Sequence, residues 1–414
     1  MTNLREYRAP GAVDVAADDN VVAALLQNAE ANPGRPALAE RQGDAFVDVS
    51  TADFVSTVRD LAAALIALGI ERGDRVCVFM PTRIEFTYLD YAIWAAGATT
   101  VTIYETSSAD QVEWIIGNSR AVGVICGDGE LRSRVEQVAE RLPECRHVLT
   151  LDGDRPGDGF EELRTSADSA AAARVDERIA GIRHDDVATL VYTSGTTGRP
   201  KGCVLTHGNL IWEVRQVIAK AGDLLTPGGS TLMFLPLAHI LARVVQIACV
   251  TRGVKIAFSS GIAQLLPELA LVKPEFVFSV PRVFEKVFNT AQGNATGVKR
   301  KLFDRAVTVA EKWSREDTAG GVSLLTGLEH RLYDLLVYGK LRDAFGGNLK
   351  FALSGGAPLG ERLGHFFHGA GVLVLEGYGL TETTAAATVN TPDDFRIVVN
   401  MGETMRGADL HRCP

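Results

Sequence analysis

The sequence predicts an α/β protein with two similar, mainly parallel sheets flanked by helices. Three observations predict it: short apolar runs alternate with stretches of helical periodicity, the runs are bounded by turn residues, and three of them end in glycine-bearing loops. Such alternation implies right-handed crossovers. At 414 residues the chain exceeds the roughly 250–300 residues at which one core stops growing. Two subdomains are therefore expected, about 1–185 and 186–400, followed by an atypical tail over 401–414.

Apolar positions Val21, Val22, Leu25 and Leu26 predict a helix from about Asn20 to Ala31, ended by Asn32-Pro33-Gly34. A short strand pair follows near 37–39 and 46–49. Ser50-Thr51 precedes Phe54, Val58, Leu61, Ala62 and Leu65, the stripe of a helix ending near Gly69. Gly73-Asp74 turns into Val76-Cys77-Val78-Phe79-Met80, which reads as a strand buried on both faces. Helices over 84–96, 109–118 and 134–141 then alternate with strands over 99–103, 122–126 and 147–151. Asp152 to Asp185 breaks the pattern with a Gly/Asp-rich stretch and an alanine run, read as a loop and short helix between the subdomains.

Val187 to Val191 is the next strand, and a helical segment from Leu205 to Lys220 follows the loop after it. Strands over 230–235, 254–257 and 276–280 alternate with helices over 240–251 and 262–272. Residues 283–346 read as a helical excursion. Strands over 349–353 and 372–376 flank a helix near 359–370.

The hydrophobic fraction of 46% and charged fraction of 22% belong to an ordinary globular chain rather than a disordered one. A net charge of −9 argues against a nucleic-acid partner held by phosphate contacts, and Lys299-Arg300-Lys301 reads as a solvated helix face. Six scattered cysteines with no Cys-x-x-Cys pair suggest neither a zinc site nor a disulfide framework, so a reducing, cytoplasmic compartment fits. The N-terminus lacks the apolar core of a signal peptide, and no uncharged apolar run approaches the ~18–20 residues that span a bilayer. Peripheral membrane contact and oligomeric state stay open.

Chemistry concentrates in the loops. Tyr192-Thr193-Ser194-Gly195-Thr196-Thr197-Gly198-Arg199-Pro200-Lys201-Gly202 leaves a strand carrying four hydroxyls from Thr193 to Thr197, three glycines and a lysine. Its glycines let backbone N–H groups approach anionic oxygens. Neither Gly195 nor Gly198 is followed five residues later by Gly-Lys-Ser/Thr, so an ordinary P-loop is disfavoured. Two later loops, Ser354-Gly355-Gly356-Ala357-Pro358 and Gly377-Tyr378-Gly379-Leu380-Thr381-Glu382, would lie off the same carboxyl ends of strands, where ligands bind in open parallel sheets. Tyr378 offers a stacking face, and Glu382 a carboxylate suited to Mg²⁺ beside phosphates. Taken alone, Gly377-Tyr378-Gly379 reads rather as a tight turn with a packed tyrosine, and Thr381-Glu382 rather as a helix start. His365 and His368 have helical spacing but no third ligand, and read as a helix surface.

In order, the Tyr192–Gly202 motif, Leu235-Pro236-Leu237-Ala238-His239, Ser-Gly-Gly-Ala-Pro and Glu376-Gly-Tyr-Gly-Leu-Thr-Glu resemble the adenylate-forming (AMP-binding) acyl-CoA synthetases. Val280-Pro281-Arg282-Val283-Phe284-Glu285-Lys286-Val287 and the helical excursion resemble the long-chain fatty-acid branch. The resemblance covers about residues 20 to 395. It implies a large domain over 1–400 of two layered α/β subdomains with a small barrel, here incomplete. It also implies a two-step reaction in which ATP and a fatty acid give acyl-AMP and pyrophosphate, and coenzyme A then displaces AMP.

By the same resemblance Thr193, Ser194, Gly195, Thr196, Thr197, Gly198 and Lys201 hold the β/γ-phosphates, and Thr193 and Glu382 bind Mg²⁺. Gly356, Ala357, Pro358, Gly377, Tyr378 and Gly379 bind adenine, and Thr381 the α-phosphate. His239 stands near the reacting carboxylate, although a histidine after a Pro-Leu turn also reads as a helix cap. Thr381, Glu382 and His239 are thus the expected catalytic residues.

After Asp394-Phe395-Arg396-Ile397 the sequence departs from the family, and nothing in it corresponds to the family's small C-terminal domain and its lysine. The expectation is a chain that binds ATP or acyl-AMP and turns over poorly. A non-catalytic binding module and adenylation of a different carboxylate are the alternatives.

Overall fold

The computed structural model describes residues 13–390 other than 154, 156, 194–197, 222 and 223. Its strands are β1 (Pro36–Gln42), β2 (Ala45–Ser50), β3 (Arg75–Phe79), β4 (Thr99–Ile103), β5 (Gly123–Asp128), β6 (His147–Asp152), β7 (Val187–Thr193), β8 (Lys201–Thr206), β9 (Ser230–Met233), β10 (Lys255–Phe258), β11 (Phe276–Ser279), β12 (Phe351–Ser354), β13 (Val374–Tyr378) and β14 (Thr388–Val389). Its helices are α1 (Val21–Ala31), α2 (Thr51–Ala67), α3 (Ile84–Ala95), α4 (Ala109–Ser119), α5 (Gly129–Glu136), α6 (Phe160–Arg164), α7 (Ser169–Ala180), α8 (His207–Ala221), α9 (Ile240–Arg252), α10 (Leu265–Val272), α11 (Pro281–Asn294), α12 (Val298–Thr318), α13 (Leu324–Tyr333), α14 (Gly339–Ala344) and α15 (Glu361–Gly369).

The strands form two sheets, ordered β6-β5-β3-β4-β7-β8 and β14-β13-β12-β11-β9-β10-β1-β2, with antiparallel pairs only at β1–β2, β7–β8 and β13–β14. This is the layered α/β fold that the alternation predicts. Among the described residues no strands close into a barrel.

The sheets interleave along the chain rather than dividing it near residue 185. β1 lies parallel to β10, with Leu38 opposite Ile256 and Ala39 opposite Ala257, so the early hairpin covers the edge of the later sheet. Leu38 and Ala39 are fully buried in this placement.

Three local expectations are corrected. Lys201–Thr206 is a strand folded back on β7, so the glycine-rich loop is the tip of a hairpin and the helix begins later, at His207. The predicted helix over 134–141 is instead α5, started earlier because the Asp128 side chain accepts from the Leu131 N–H at 2.9 Å, and followed by a separate 3₁₀ turn at Ala139–Arg141. The interval from 152 to 185 holds two helices, α6 and α7, rather than one.

Between the sheets lies α3, buried at every position except Glu85 and touching β3 and β4 of one sheet and β1 of the other. A helix covered all round needs no polar face. Its Trp94 Nε1 donates to the Ala188 carbonyl of β7 at 2.8 Å. Beside it, α9 is buried from Ala242 to Val250.

Candidate active site

The hairpin tip is held by side chains of α4. Trp114 Nε1 donates to the Pro200 carbonyl at 2.7 Å, and the Arg199 guanidinium stands over the Trp114 ring at 4.6 Å. Tyr192 donates its hydroxyl to Asn118 Oδ1 at 2.7 Å. Thr193 ends β7, paired with Lys201 across the ladder, and Gly198 takes φ +105°, a conformation that favours glycine. Ser194, Gly195, Thr196 and Thr197 lie outside the described residues.

The segment Leu235–His239 crosses to the first sheet. Thr82 accepts from Leu237 N and donates to the Leu235 carbonyl, both at 2.8 Å, and Thr102 donates to the Ala238 carbonyl at 2.9 Å. These bonds deliver His239 to the start of α9, where its Nδ1 accepts from the Leu241 N–H at 3.2 Å. This histidine caps the helix, and it also lines the cavity described below. Although open to that cavity, it stands among enough protein atoms for desolvation to pull its imidazole below the ordinary value. With Nδ1 accepting, a neutral ring carries its proton on Nε2.

β12 and β13 bring the other two loops to the same place. Gly356 has φ +80° after β12, and Leu359 N donates to Glu376 Oε1 of β13 at 2.9 Å. Gly377 and Tyr378 are strand residues, paired with Val389 and Thr388. The chain then turns through a 3₁₀ turn at Thr381–Thr383 into a left-handed pair, Thr384 and Ala385, with φ of 61° and 90°. Gly379 lies against this turn so closely that an added Cβ would stand 1.2 Å from the Ala385 carbonyl oxygen. Cys203 of β8 donates its Sγ–H to the Thr381 carbonyl at 3.6 Å, tying the hairpin to this loop.

One cavity of about 620 Å³ joins these parts. Its polar rim holds Thr193, His239, Gly356, Gly377, Tyr378, Gly379, Thr381 and Glu382. Its apolar wall follows α9 from Ile240 to Cys249, ~14 Å at the helical rise, with Leu225, Phe278 and Leu353 opposite. Ala357 and Pro358 border Gly356 without lining the cavity, and Gly198 and Lys201 stay on the hairpin outside its wall. Arg406, Asp409 and the rest of the tail lie outside the described residues.

Sequence reasoning missed Glu213. It is buried in the cavity wall, accepts from the Ala386 N–H at 3.1 Å, and is pushed up to about 8 by burial. The signal was available, because Leu210, Glu213, Val214 and Val217 recur at i, i+3, i+4 and i+7 and place a carboxyl in an apolar stripe. The histidine pair is corrected: His365 is buried rather than on a surface, and Nδ1 of both His365 and His368 lies 2.8 Å from the Ser314 hydroxyl. Among the described residues no group of three or more His, Cys, Asp or Glu is placed to hold a metal ion. Cys77, Cys126, Cys145, Cys203 and Cys249 are unpaired.

The chain is similar to several known proteins. A long-chain-fatty-acid--CoA ligase, FadD15, of Mycobacterium bovis is 43% identical over 395 residues, 95% of this chain and 66% of its own length. The peroxisomal long chain acyl-CoA synthetase 6 of Arabidopsis thaliana is 31% identical, matching 78% of this chain and 46% of its own. The chain thus spans two thirds or less of these relatives. The crystal structure of the N-terminal domain of FACL13 from Mycobacterium tuberculosis shares the fold at a TM-score of 0.68 and 22% identity, over 91% of this chain and 80% of that one. The AMP-binding enzyme family model matches residues 25–411, and the chain belongs to that family.

Proposed function

We propose that this chain supplies the nucleotide- and acyl-binding part of a cytoplasmic ligase that converts a long-chain fatty acid to its coenzyme A thioester through acyl-AMP. The observation that supports the reading is the single cavity in which a rim of hydroxyl, glycine and carboxylate groups continues into an apolar wall along α9. A nucleotide needs the first surface, and an alkyl chain needs the second.

In this reading a fatty-acid carboxylate oxygen attacks the α-phosphorus of ATP, the bond to the β-phosphate oxygen breaks, and pyrophosphate leaves. The coenzyme A thiol then adds to the acyl carbonyl and expels AMP. Backbone and hydroxyl donors from Thr193 to Gly198, with Lys201, meet the β/γ-phosphates. Thr381 meets the α-phosphate, and Gly356–Pro358 with Gly377–Gly379 receive the base. The Nε2–H of His239 donates to the carboxylate and holds it for in-line attack. Thr193 and Glu382, a hydroxyl and a carboxylate at the rim, would hold Mg²⁺, which would supply positive charge beside the phosphates.

Thermal stabilisation by non-hydrolysable acyl-AMP analogues tests the reading. A shift that grows with alkyl length and exceeds that of AMP and of aryl-AMP analogues is expected. Equal shifts from AMP alone and from the long-chain analogue would remove the apolar wall from the acyl site. Pyrophosphate exchange with palmitate then separates binding from turnover.

A further inference from the structure

Outside the cavity, the described residues carry an apolar surface that their own packing does not explain. α13 continues through a π-helical segment, Asp334–Tyr338, into α14. The inner face of this rod is accounted for. Thr326 donates to Glu316 at 3.0 Å, His330 stacks on Trp313 with ring centres 4.5 Å apart, and Tyr338 donates to the Ala306 carbonyl at 2.6 Å. The outer face carries Leu324, Leu325, Leu328, Leu332, Leu335 and Leu336, exposed by between 42% and 88%.

Single exposed leucines are ordinary, but six on one helical face over ~18 Å form a continuous apolar stripe that water disfavours. The charges around it have a sign. Glu329 and Asp334 are neutralised by Arg305 and Arg342 at 2.8 Å and 2.6 Å, and Asp343 is exposed. Arg331 and Lys340 stand exposed on the rod itself. From Val298 to Ala344 nine Lys and Arg meet seven Asp and Glu, a net +2 in a chain whose total is −9. The helix the rod doubles back along, α12, opens with Val298, 84% exposed, and Lys299-Arg300-Lys301.

We propose that the α13–α14 face is a membrane-docking surface that lies on an anionic phospholipid headgroup layer, with its leucines among the acyl chains. A leucine stripe edged by long cationic side chains suits a headgroup boundary, where the apolar stripe is buried and the cations reach lipid phosphates. Charge argues against a second copy as the occupant, because two such faces would set Arg331 and Lys340 against the same cations. The inference does not depend on the proposed reaction.

Co-sedimentation of the 414-residue chain with lipid vesicles tests it. Binding to phosphatidylglycerol/phosphatidylcholine vesicles is expected to exceed binding to pure phosphatidylcholine and to weaken with salt. The variant Leu328→Glu/Leu332→Glu/Leu335→Glu should partition about tenfold more weakly or worse, with an unchanged melting temperature, since those side chains are already in water. Arg331→Gln/Lys340→Gln should lose mainly the anionic preference. Absence of wild-type binding to either vesicle overturns the proposal, as does binding that survives the leucine substitutions. A wild-type dimer that the leucine variant dissociates also overturns it, in favour of a second copy.

Discussion

Asp90 of α3 and Arg243 of α9 form a bidentate ion pair between the sheets, Nε to Oδ2 at 3.0 Å and Nη2 to Oδ1 at 2.5 Å, with the two side chains 0% and 1% exposed. Gln246 donates to the same carboxylate at 3.2 Å and accepts from Thr87 at 2.7 Å. Arg243 also donates to Thr189 of β7 and stands 5.4 Å over the Trp94 ring. One polar knot therefore joins α3, α9 and the strand that ends in Thr193. It lies one turn of α9 beyond His239.

Removing one member should be far worse than removing both. Asp90→Ala leaves a guanidinium buried without its counter-charge and should cost about 3–5 kcal/mol. Asp90→Leu/Arg243→Leu should cost much less, because no charge remains to desolvate. Urea unfolding of the three proteins checks this. An Asp90→Ala midpoint within experimental error of wild type would show that the pair does not hold the layer together.

Gly379 should tolerate no side chain. A Cβ there would stand 1.2 Å from the Ala385 carbonyl oxygen, whereas one at Gly355, in the same cavity wall, would meet its nearest atom, Leu241 Cδ2, at 3.4 Å. Gly379→Ala should therefore displace the Thr381–Glu382 turn, at a cost of about 1–3 kcal/mol and most of the stabilisation by ATP analogues. Gly355→Ala should retain both. Melting curves with and without nucleotide distinguish them.

Acid should weaken the fold through buried imidazoles. His207 is buried, accepts from Val21 N through Nδ1 at 3.4 Å, and is pulled down to about 4 by desolvation. Burial lowers His365 and His368 as well, with Arg315 adding to the effect at His365. A depressed histidine pKa means that the unfolded chain takes protons first as pH falls. Stability is thus complete above the ordinary 6.5 and declines through the window down to about 4. Ser314→Ala, which strips the shared hydroxyl from two imidazoles, should cost roughly 1–3 kcal/mol at neutral pH. Urea midpoints between pH 4 and 7 measure both effects.

Much of this was legible from periodicity and motif. The fully apolar run at 76–80 announced a strand buried on both faces, and Ser50, at the start of α2, caps it by accepting from Asp53 N at 3.1 Å. The interleaving of the sheets was not legible, because β1 meets β10 through contacts some 220 residues apart that no local pattern encodes. β8 was missed for a related reason, since Lys201–Thr206 takes its strand identity from pairing with β7. The rim of the site rests on glycines and hydroxyls that sequence spacing exposes. Its apolar wall is made of Leu225, Val245, Phe278 and similar residues, which look like any core until the fold leaves them facing a void.

Glu213 gives the sharpest pH test. Its Oε1 accepts from Ala386 N next to the left-handed Thr384–Ala385 turn, and among the described residues Oε2 has no partner. Desolvation favours the protonated acid and raises the pKa from the ordinary 4.5 to about 8. For an acid raised on folding, the unfolded chain gives up its proton first as pH rises. The favourable contribution is therefore complete below 4.5 and is lost as pH climbs through about 8. Glu213→Gln keeps an acceptor for Ala386 N and cannot ionise, so its stability relative to wild type should rise steadily between pH 5 and 8. Glu213→Ala should lose stability at every pH, because it leaves that N–H unpaired beside the turn. Taking the difference between Glu213→Gln and wild type removes the shared histidine titrations. A difference that stays flat across that window would mean that Glu213 is already ionised in the fold, and that Ala386 binds a carboxylate rather than a neutral acid.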